Sequence, residues 1–117
     1  MKKLLLVPAL MLAFFFSTIS SVSAADVWVN HINDLDIYVV EETLSGNSDN
    51  FSVVVKTVQN GQLIKQSTYC YDHIGGCWGG EADRVKFVVY GKPDRLFEYC
   101  ANRLGIYYYS DDKGFYY

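Results

Sequence analysis

The sequence predicts a small α+β domain, in which one C-terminal amphipathic helix packs on a small antiparallel β-sheet, preceded by a signal peptide. Three features of the 117 residues support this: an apolar leader, a valine-rich strand followed by a tight turn, and one segment with helical periodicity.

The start of the chain has the composition of a cleaved secretory signal peptide. Lys2 and Lys3 form a basic start, residues 4–16 are apolar, and residues 22–24 are small, as a cleavage site requires. The apolar run is shorter than the roughly 20 residues that span a bilayer. We therefore expect residues 1–24 to be removed; cleavage one residue later and a retained membrane anchor are the alternatives.

Residues 25–117 are then the mature protein, which has room for a single small domain with one modest core. The signal removes two of the ten basic residues and none of the thirteen acidic ones, so the net charge falls from −3 to about −5. We therefore expect no nucleic-acid partner for this acidic domain, and no further apolar segment predicts a membrane span.

Two short strands open this domain. Residues 27–29 and 36–40 are rich in β-branched and aromatic side chains, and residues 45–50 that follow are a run of turn formers. We expect the Trp28 ring to cover the core.

A hairpin comes next and is the clearest local signal in the sequence. Residues 51–58 contain four valines, and Asn60-Gly61 is the pair best suited to the positive φ angles of a two-residue type I′ turn. With that turn Val58 faces Leu63 across the two strands.

The same register would place Lys56 opposite Lys65, which is unfavourable for like charges. Either that face is solvated, or a longer loop shifts the register by one residue.

The chain then passes through a glycine-rich segment into another strand. Residues 75–80 contain four glycines around Cys77 and Trp78, which suggests a wide turn or an irregular strand start. Residues 85–90 are a further strand, ended by Gly91.

Residues 93–103 are the one convincing helix of the mature chain. Pro93 suits its first turn, Asp94 favours the positive end of the helix dipole, and Gly105 suits its C-terminus. Apolar residues recur on one side, which we expect to lie on the sheet: Leu96, Phe97, Cys100, Ala101 and Leu104.

A tyrosine-rich tail follows, with a strand over 106–109, a turn over 110–114 and a last short strand or fraying end. Side chains alternate along a strand, so Tyr108 lies opposite its two neighbours. Exposed aromatics give a large contact area at small entropic cost, and Trp78, Tyr108 and Tyr116 are the binding residues that this reasoning favours. Tyrosines that merely cover a thin sheet are the alternative.

The order of these elements resembles the small exported domains of the surface-adhesin protein E type. The likeness covers the strand at 38–40, the valine strand at 51–58, the region of Trp78 and the amphipathic helix around 96–100. It implies an antiparallel sheet with a helix against it and a role in binding at the cell surface. This chain lacks the cysteine that would allow lipidation at a new N-terminus.

Three cysteines in an exported chain can close one disulfide and leave one thiol. The glycines between Cys70 and Cys77 can bring these two together, and they are the preferred pair. A bridge from either one to Cys100 would instead attach the helix to the sheet. Between Phe97 and Leu104, Cys100 is expected to behave as a small buried apolar residue.

The cysteines also raise two chemical alternatives. Cys70, His73, Cys77 and Cys100 could supply the four ligands of a structural zinc site, although their spacing matches no known finger. A catalytic pair of a cysteine nucleophile and a histidine base could be drawn from the same residue types, but no family signature surrounds either residue.

The function that these features favour is a non-catalytic binding or envelope-associated domain, for which the resemblance implies an adhesin-like role. It would work in the periplasm or at the surface of a bacterium, with a protein or glycan as ligand and without a cofactor. The alternative is a small thiol or zinc-binding protein. The sequence indicates no oligomeric state.

Overall fold

The computed structural model describes residues 22–117, which form a six-stranded antiparallel sheet with one helix packed on it. This confirms the predicted α+β class. All but the last three residues of the predicted signal peptide lie outside this range. Within it, no helix is long and apolar enough to cross a membrane.

Each strand pairs with the next one in the sequence, so the sheet is a meander in which β1 and β6 are the two edges. The strands are β1 (Asp26–Ile32), β2 (Leu35–Gly46), β3 (Asn50–Gln59), β4 (Gln62–Ile74), β5 (Cys77–Ala82) and β6 (Val85–Val88), and the helix α1 (Arg95–Leu104) follows them.

Four of the five strand connections are two-residue turns in which both residues have positive φ. They are Asn33-Asp34, Asn60-Gly61, Gly75-Gly76 and Asp83-Arg84. This is the type I′ geometry, whose twist matches that of the flanking strands. The predicted Asn60-Gly61 turn is confirmed, and Val58 faces Leu63 as expected.

The predicted clash between Lys56 and Lys65 is avoided by a bulge and not by a longer loop. The register shifts at Ile64, so that Lys65 faces Thr57 and Lys56 faces Gln66. On its own face of the sheet, the Lys56 ammonium donates to the Asp26 carboxylate at 2.8 Å, and both side chains are buried.

Residues 75–80 form a tight turn followed by the start of a strand, so the wide turn is wrong and the alternative, a strand start, is closer to the structure. β4 continues to Ile74, the chain reverses at Gly75-Gly76, and β5 starts at Cys77. Two adjacent glycines are enough for a type I′ turn because each can adopt positive φ without strain.

The core lies between α1 and one face of the sheet, which we call the inner face; the opposite face is the outer face. Phe51 from β3 and Tyr71 from β4 stack at 4.7 Å between ring centroids, and Phe97 of α1 packs on both. The valines of β3 extend this core, since Val53 and Val55 alternate onto the same face.

The helix boundaries follow from capping. The Asp94 carboxylate accepts a hydrogen bond from the Phe97 N–H at 3.0 Å, and Gly105 ends the helix in the left-handed region. Phe97, Cys100 and Ala101 are buried, with Leu96 and Leu104 packed beside them, so the predicted apolar side of the helix is confirmed.

The last twelve residues form isolated bridges and not full strands. Tyr116 lies beside β5, where its carbonyl accepts the Trp78 N–H at 2.9 Å, and Ser110 pairs with it on the other side. The Tyr116 hydroxyl accepts the Asp94 N–H at 2.8 Å and donates to Glu98. One tyrosine therefore joins the end of the chain to the first turn of α1.

Candidate functional site

A cleft of about 610 Å³ opens on the inner face, beyond the part of the sheet that α1 covers. It lies between the ends of the β1–β2 and β5–β6 hairpins and the segment that leads into the helix. Its lining is mainly aromatic and aliphatic: Ile32, Ile37, Tyr69, Tyr71, Ala82, Val85, Phe87, Val88, Tyr90, Pro93 and Leu96. Volume and lining are those of a pocket for a small ligand or a side chain.

Three rings form the floor of the cleft. Tyr71 meets Phe87 edge-on at 5.8 Å, and Tyr69 lies 6.1 Å from Phe87 and 6.2 Å from Tyr71. Their alternation along the strands directs them to one face. Aromatic side chains fixed by one another in this way present a rigid surface, because each has few rotatable bonds.

The Phe87 ring reaches Tyr71 because the residue between them is a glycine. Gly80 stands between Tyr71 on β4 and Phe87 on β6 in the register of the sheet. A Cβ atom at Gly80 would lie 2.7 Å from the Phe87 ring and 2.7 Å from the Cys70 carbonyl oxygen. Any side chain there would displace the ring from the floor of the cleft.

The rim of the cleft leaves apolar side chains in solvent. The exposed fractions are 50% for Ile32, 64% for Val85, 53% for Val88 and 60% for Tyr90. Single exposed apolar residues are common on protein surfaces, but several that surround one concave site indicate a contact surface.

The polar side chains that line the cleft are Asn30, Lys65, Asp83, Asp94 and Arg95. The Lys65 ammonium pairs with the Asp83 carboxylate at 2.8 Å, and Ser67 donates to the same carboxylate at 2.9 Å. These contacts lower the pKa of Asp83, with the Lys65 hydrogen bond as the largest cause. Asp94 is largely buried, and that burial raises its pKa despite the hydrogen bond from Phe97.

The aromatic residues that the sequence favoured for binding lie elsewhere. Trp78 and Tyr116 are buried in the core, where both contact Phe97, and Tyr108 packs edge-on against the same ring. The predicted exposure is therefore wrong for Trp78 and Tyr116, whereas Tyr108 is partly buried. The alternation in the tail is confirmed, but Tyr108 is the residue that turns inward, whereas Tyr107 and Tyr109 are exposed.

The cysteines do not form the predicted pair. Cys70, Cys77 and Cys100 are all free. Cys77 stands opposite Ile74, four residues along β4 from Cys70. That offset is about 13 Å of strand, whereas a disulfide needs Cα atoms within about 7 Å. The expectation failed because β4 runs straight on where a loop was assumed. The predicted burial of Cys100 is confirmed.

The four residues of the zinc alternative do not converge. Cys70 and Cys77 alternate onto the outer face, whereas His73 stacks on Trp78 and Cys100 is buried on the core side of α1. In residues 22–117, no group of three or more His, Cys, Asp and Glu side chains is placed to hold a metal ion.

The second histidine has a carboxylate partner on the outer face. His31 Nδ1 lies 2.8 Å from Asp36 Oδ1, and the Trp28 indole N–H donates to the same oxygen at 3.0 Å. These hydrogen bonds, that of His31 first, lower the pKa of Asp36. Trp28, expected in the core, is half exposed here. Among the hydrogen bonds of residues 22–117, none joins a hydroxyl or thiol to His31 as a catalytic nucleophile would require.

The comparisons with known proteins found no match: no family model fits the chain, and neither a curated protein nor a solved structure is similar to it. Every functional argument therefore depends on the geometry of this chain. The sequence did contain a partial signal for the cleft, since Tyr69 and Tyr71, and Val85 and Phe87, are spaced two residues apart, so that each pair lies on one face of its strand.

Proposed function

We propose that this protein is an exported, non-catalytic binding domain, whose ligand occupies the cleft on the inner face. The observation that carries the proposal is the set of exposed apolar side chains around a floor of three packed rings. Leaving such surface in water costs roughly 25 cal/mol per Å² of apolar area, and a ligand that covers it recovers that free energy.

The proposal retains the periplasm or the cell surface of a bacterium as the site of action, because it includes the signal peptide expected from the sequence. The adhesin-like role is likewise a proposal that depends on export by that signal peptide. The cleft favours an apolar or aromatic ligand group, such as a protein side chain, over a glycan, since its lining is mainly apolar, Lys65 and Asp83 are paired with each other, and Asp94 caps the helix.

Two substitutions at matched positions test the cleft. Val85 lines it and is 64% exposed, whereas Ile74 is 75% exposed and lies outside it; each adjoins a two-residue turn. We expect Val85→Glu to weaken binding of the apolar dye 1-anilinonaphthalene-8-sulfonate at least about tenfold, because it places a charge at the apolar rim. Ile74→Glu should leave that binding unchanged.

Dye fluorescence titrated against each purified variant gives the two dissociation constants, with circular dichroism to verify the fold. Equal binding by the wild type and both variants would mean that the cleft is not the ligand site. Loss of binding in Ile74→Glu alone would move the site to the end of β4.

A further inference from the structure

The edge strand β6 presents unpaired main-chain groups beside the cleft. In an antiparallel pair, the N–H and C=O of successive residues point alternately towards and away from the partner strand. The Val89 N–H donates to the Trp78 carbonyl of β5 at 3.0 Å. Val85 and Phe87 lie four and two residues before Val89, so their main-chain groups point towards β5 as well. The main-chain groups of Lys86 and Val88 therefore point away from β5.

Nothing in residues 22–117 pairs with these groups. β6 has one neighbour in the sheet, β5, and the backbone hydrogen bonds outside the regular strands involve neither Lys86 nor Val88. The C-terminal residues pair with this edge only after β6 has ended, where Tyr90 forms a bridge to Phe115.

The opposite edge of the sheet carries a bulge and a buried charge, neither of which β6 has. β1 has a register irregularity between Trp28 and Asn30, and it carries Asp26, whose buried carboxylate is held by Lys56. Bulges and inward-pointing charges are the usual means of preventing strand addition. The β5–β6 register is regular, and β6 exposes Val85 and Val88.

The open edge and the cleft adjoin each other. Val85, Phe87 and Val88 belong to β6 and also line the cleft. A strand added at the usual spacing of about 4.8 Å would therefore lie beside the cleft, and every second side chain of that strand would project from the same face of the sheet as its rings.

We propose that the ligand is an extended peptide, which pairs with Lys86 and Val88 as an additional strand and places alternate apolar side chains in the cleft. This inference rests on the proposed function and names its ligand class. A polypeptide backbone is the partner chemistry that matches alternating N–H and C=O groups at strand spacing, and such pairing is an established mode of peptide recognition.

Peptides can test separately the alternation of apolar side chains in the ligand and the hydrogen bonds of its backbone. The probe is an immobilised library of acetylated octapeptides, with Val, Leu, Phe or Tyr at every second position and Ser, Thr, Lys or Glu between them. The control library has the same compositions in scrambled order. We expect the protein to select the alternating peptides.

The strongest binder is then N-methylated at either alternate set of its amides. Methylation of the set that faces β6 removes the hydrogen bonds and should weaken binding at least about tenfold, whereas methylation of the other set should change it less than about threefold. Equal effects of the two sets, or no preference for alternation, would overturn the proposal.

A matched pair of protein variants tests the same hydrogen bonds by changing β6 in place of the peptide. Lys86→Pro removes an N–H that no residue in 22–117 uses, and Lys86→Ala keeps it while removing the same charge. We expect at least about tenfold weaker peptide binding by Lys86→Pro and an unchanged affinity of Lys86→Ala. If Lys86→Pro fails to fold, the two methylated peptides decide the matter.

The outcomes separate this proposal from the proposed function. If dye binding responds to Val85→Glu but peptide binding ignores both Lys86→Pro and methylation, the cleft is a ligand site and strand addition is wrong. If the peptide pairs with β6 while Val85→Glu has no effect on the dye or the peptide, the cleft is not involved. A dimer that Lys86→Pro converts to monomer would identify a second copy as the occupant, against the peptide.

Discussion

Cys70 and Cys100 differ in what surrounds their sulfur atoms. Cys70 is exposed on the outer face of β4, whereas Cys100 is fully buried on the core side of α1. Burial disfavours the thiolate, and with a smaller effect of the nearby Asp94 charge it raises the pKa of Cys100 from 9.0 to about 12. The reactive form of Cys100 is therefore nearly absent near neutral pH.

We predict that a thiol reagent at pH 8 modifies Cys70 quickly in the folded protein and reaches Cys100 only after denaturation. At that pH a thiol with a pKa near 12 is ionised in about one molecule in ten thousand, and the core also excludes the reagent. Absorbance of released thionitrobenzoate counts the thiols before and after addition of guanidinium, with Cys100→Ser as control. Three fast thiols in the folded protein, or a bridge to Cys100 in non-reducing peptide mapping, would contradict this.

The β3–β4 hairpin shows how a turn controls an element. Asn60 and Gly61 have φ angles of 51° and 77°. A Cβ atom on Gly61 would meet no atom within 4 Å, so a substitution there acts through the backbone and not through crowding. The turn sets the strand register as far as Leu63, and the bulge at Ile64 shifts the register by one residue after it.

We predict that Gly61→Val destabilises the fold by about 1 kcal/mol or more, since a β-branched residue resists positive φ. For a domain of this size, that corresponds to a fall in melting temperature of about 4–8 °C. The control Gln62→Val introduces the same side chain one residue later in an exposed, extended position and should shift the melting temperature little. An unchanged melting temperature for Gly61→Val would mean that the turn tolerates a β-branched residue.

Local chemistry therefore predicted some elements and missed others. Asn60-Gly61 and the capped helix were readable because their signals lie within a few residues of each other. Asp83-Arg84 adopts the same turn without a typical sequence, and its geometry is imposed by the pairing of β5 with β6. Trp28 and Trp78 were assigned to the wrong environments because burial depends on which face meets α1, and neither strand encodes that locally.

At the scale of the whole molecule, the cleft was beyond sequence reasoning for a related reason. It joins residues from β1, β4, β6 and the start of α1, and Phe87 reaches its floor only through the space above Gly80. The period of two that Tyr69 and Tyr71 share predicts a common face. It does not predict that α1 leaves this part of the face uncovered.

The compartment is the property of the whole molecule on which the proposed function most depends. We predict that residues 1–30, fused to a reporter enzyme that folds only outside the cytoplasm, make that enzyme active. The basic start and the apolar run are the features that export machinery recognises, so Lys2→Glu with Lys3→Glu should reduce the activity. The control, Lys2→Arg with Lys3→Arg, keeps the positive charge and should retain the reporter activity. An active reporter fused to the chain from Ala25 onward would show that export does not need the leader, and the binding partner would then have to be sought inside the cell.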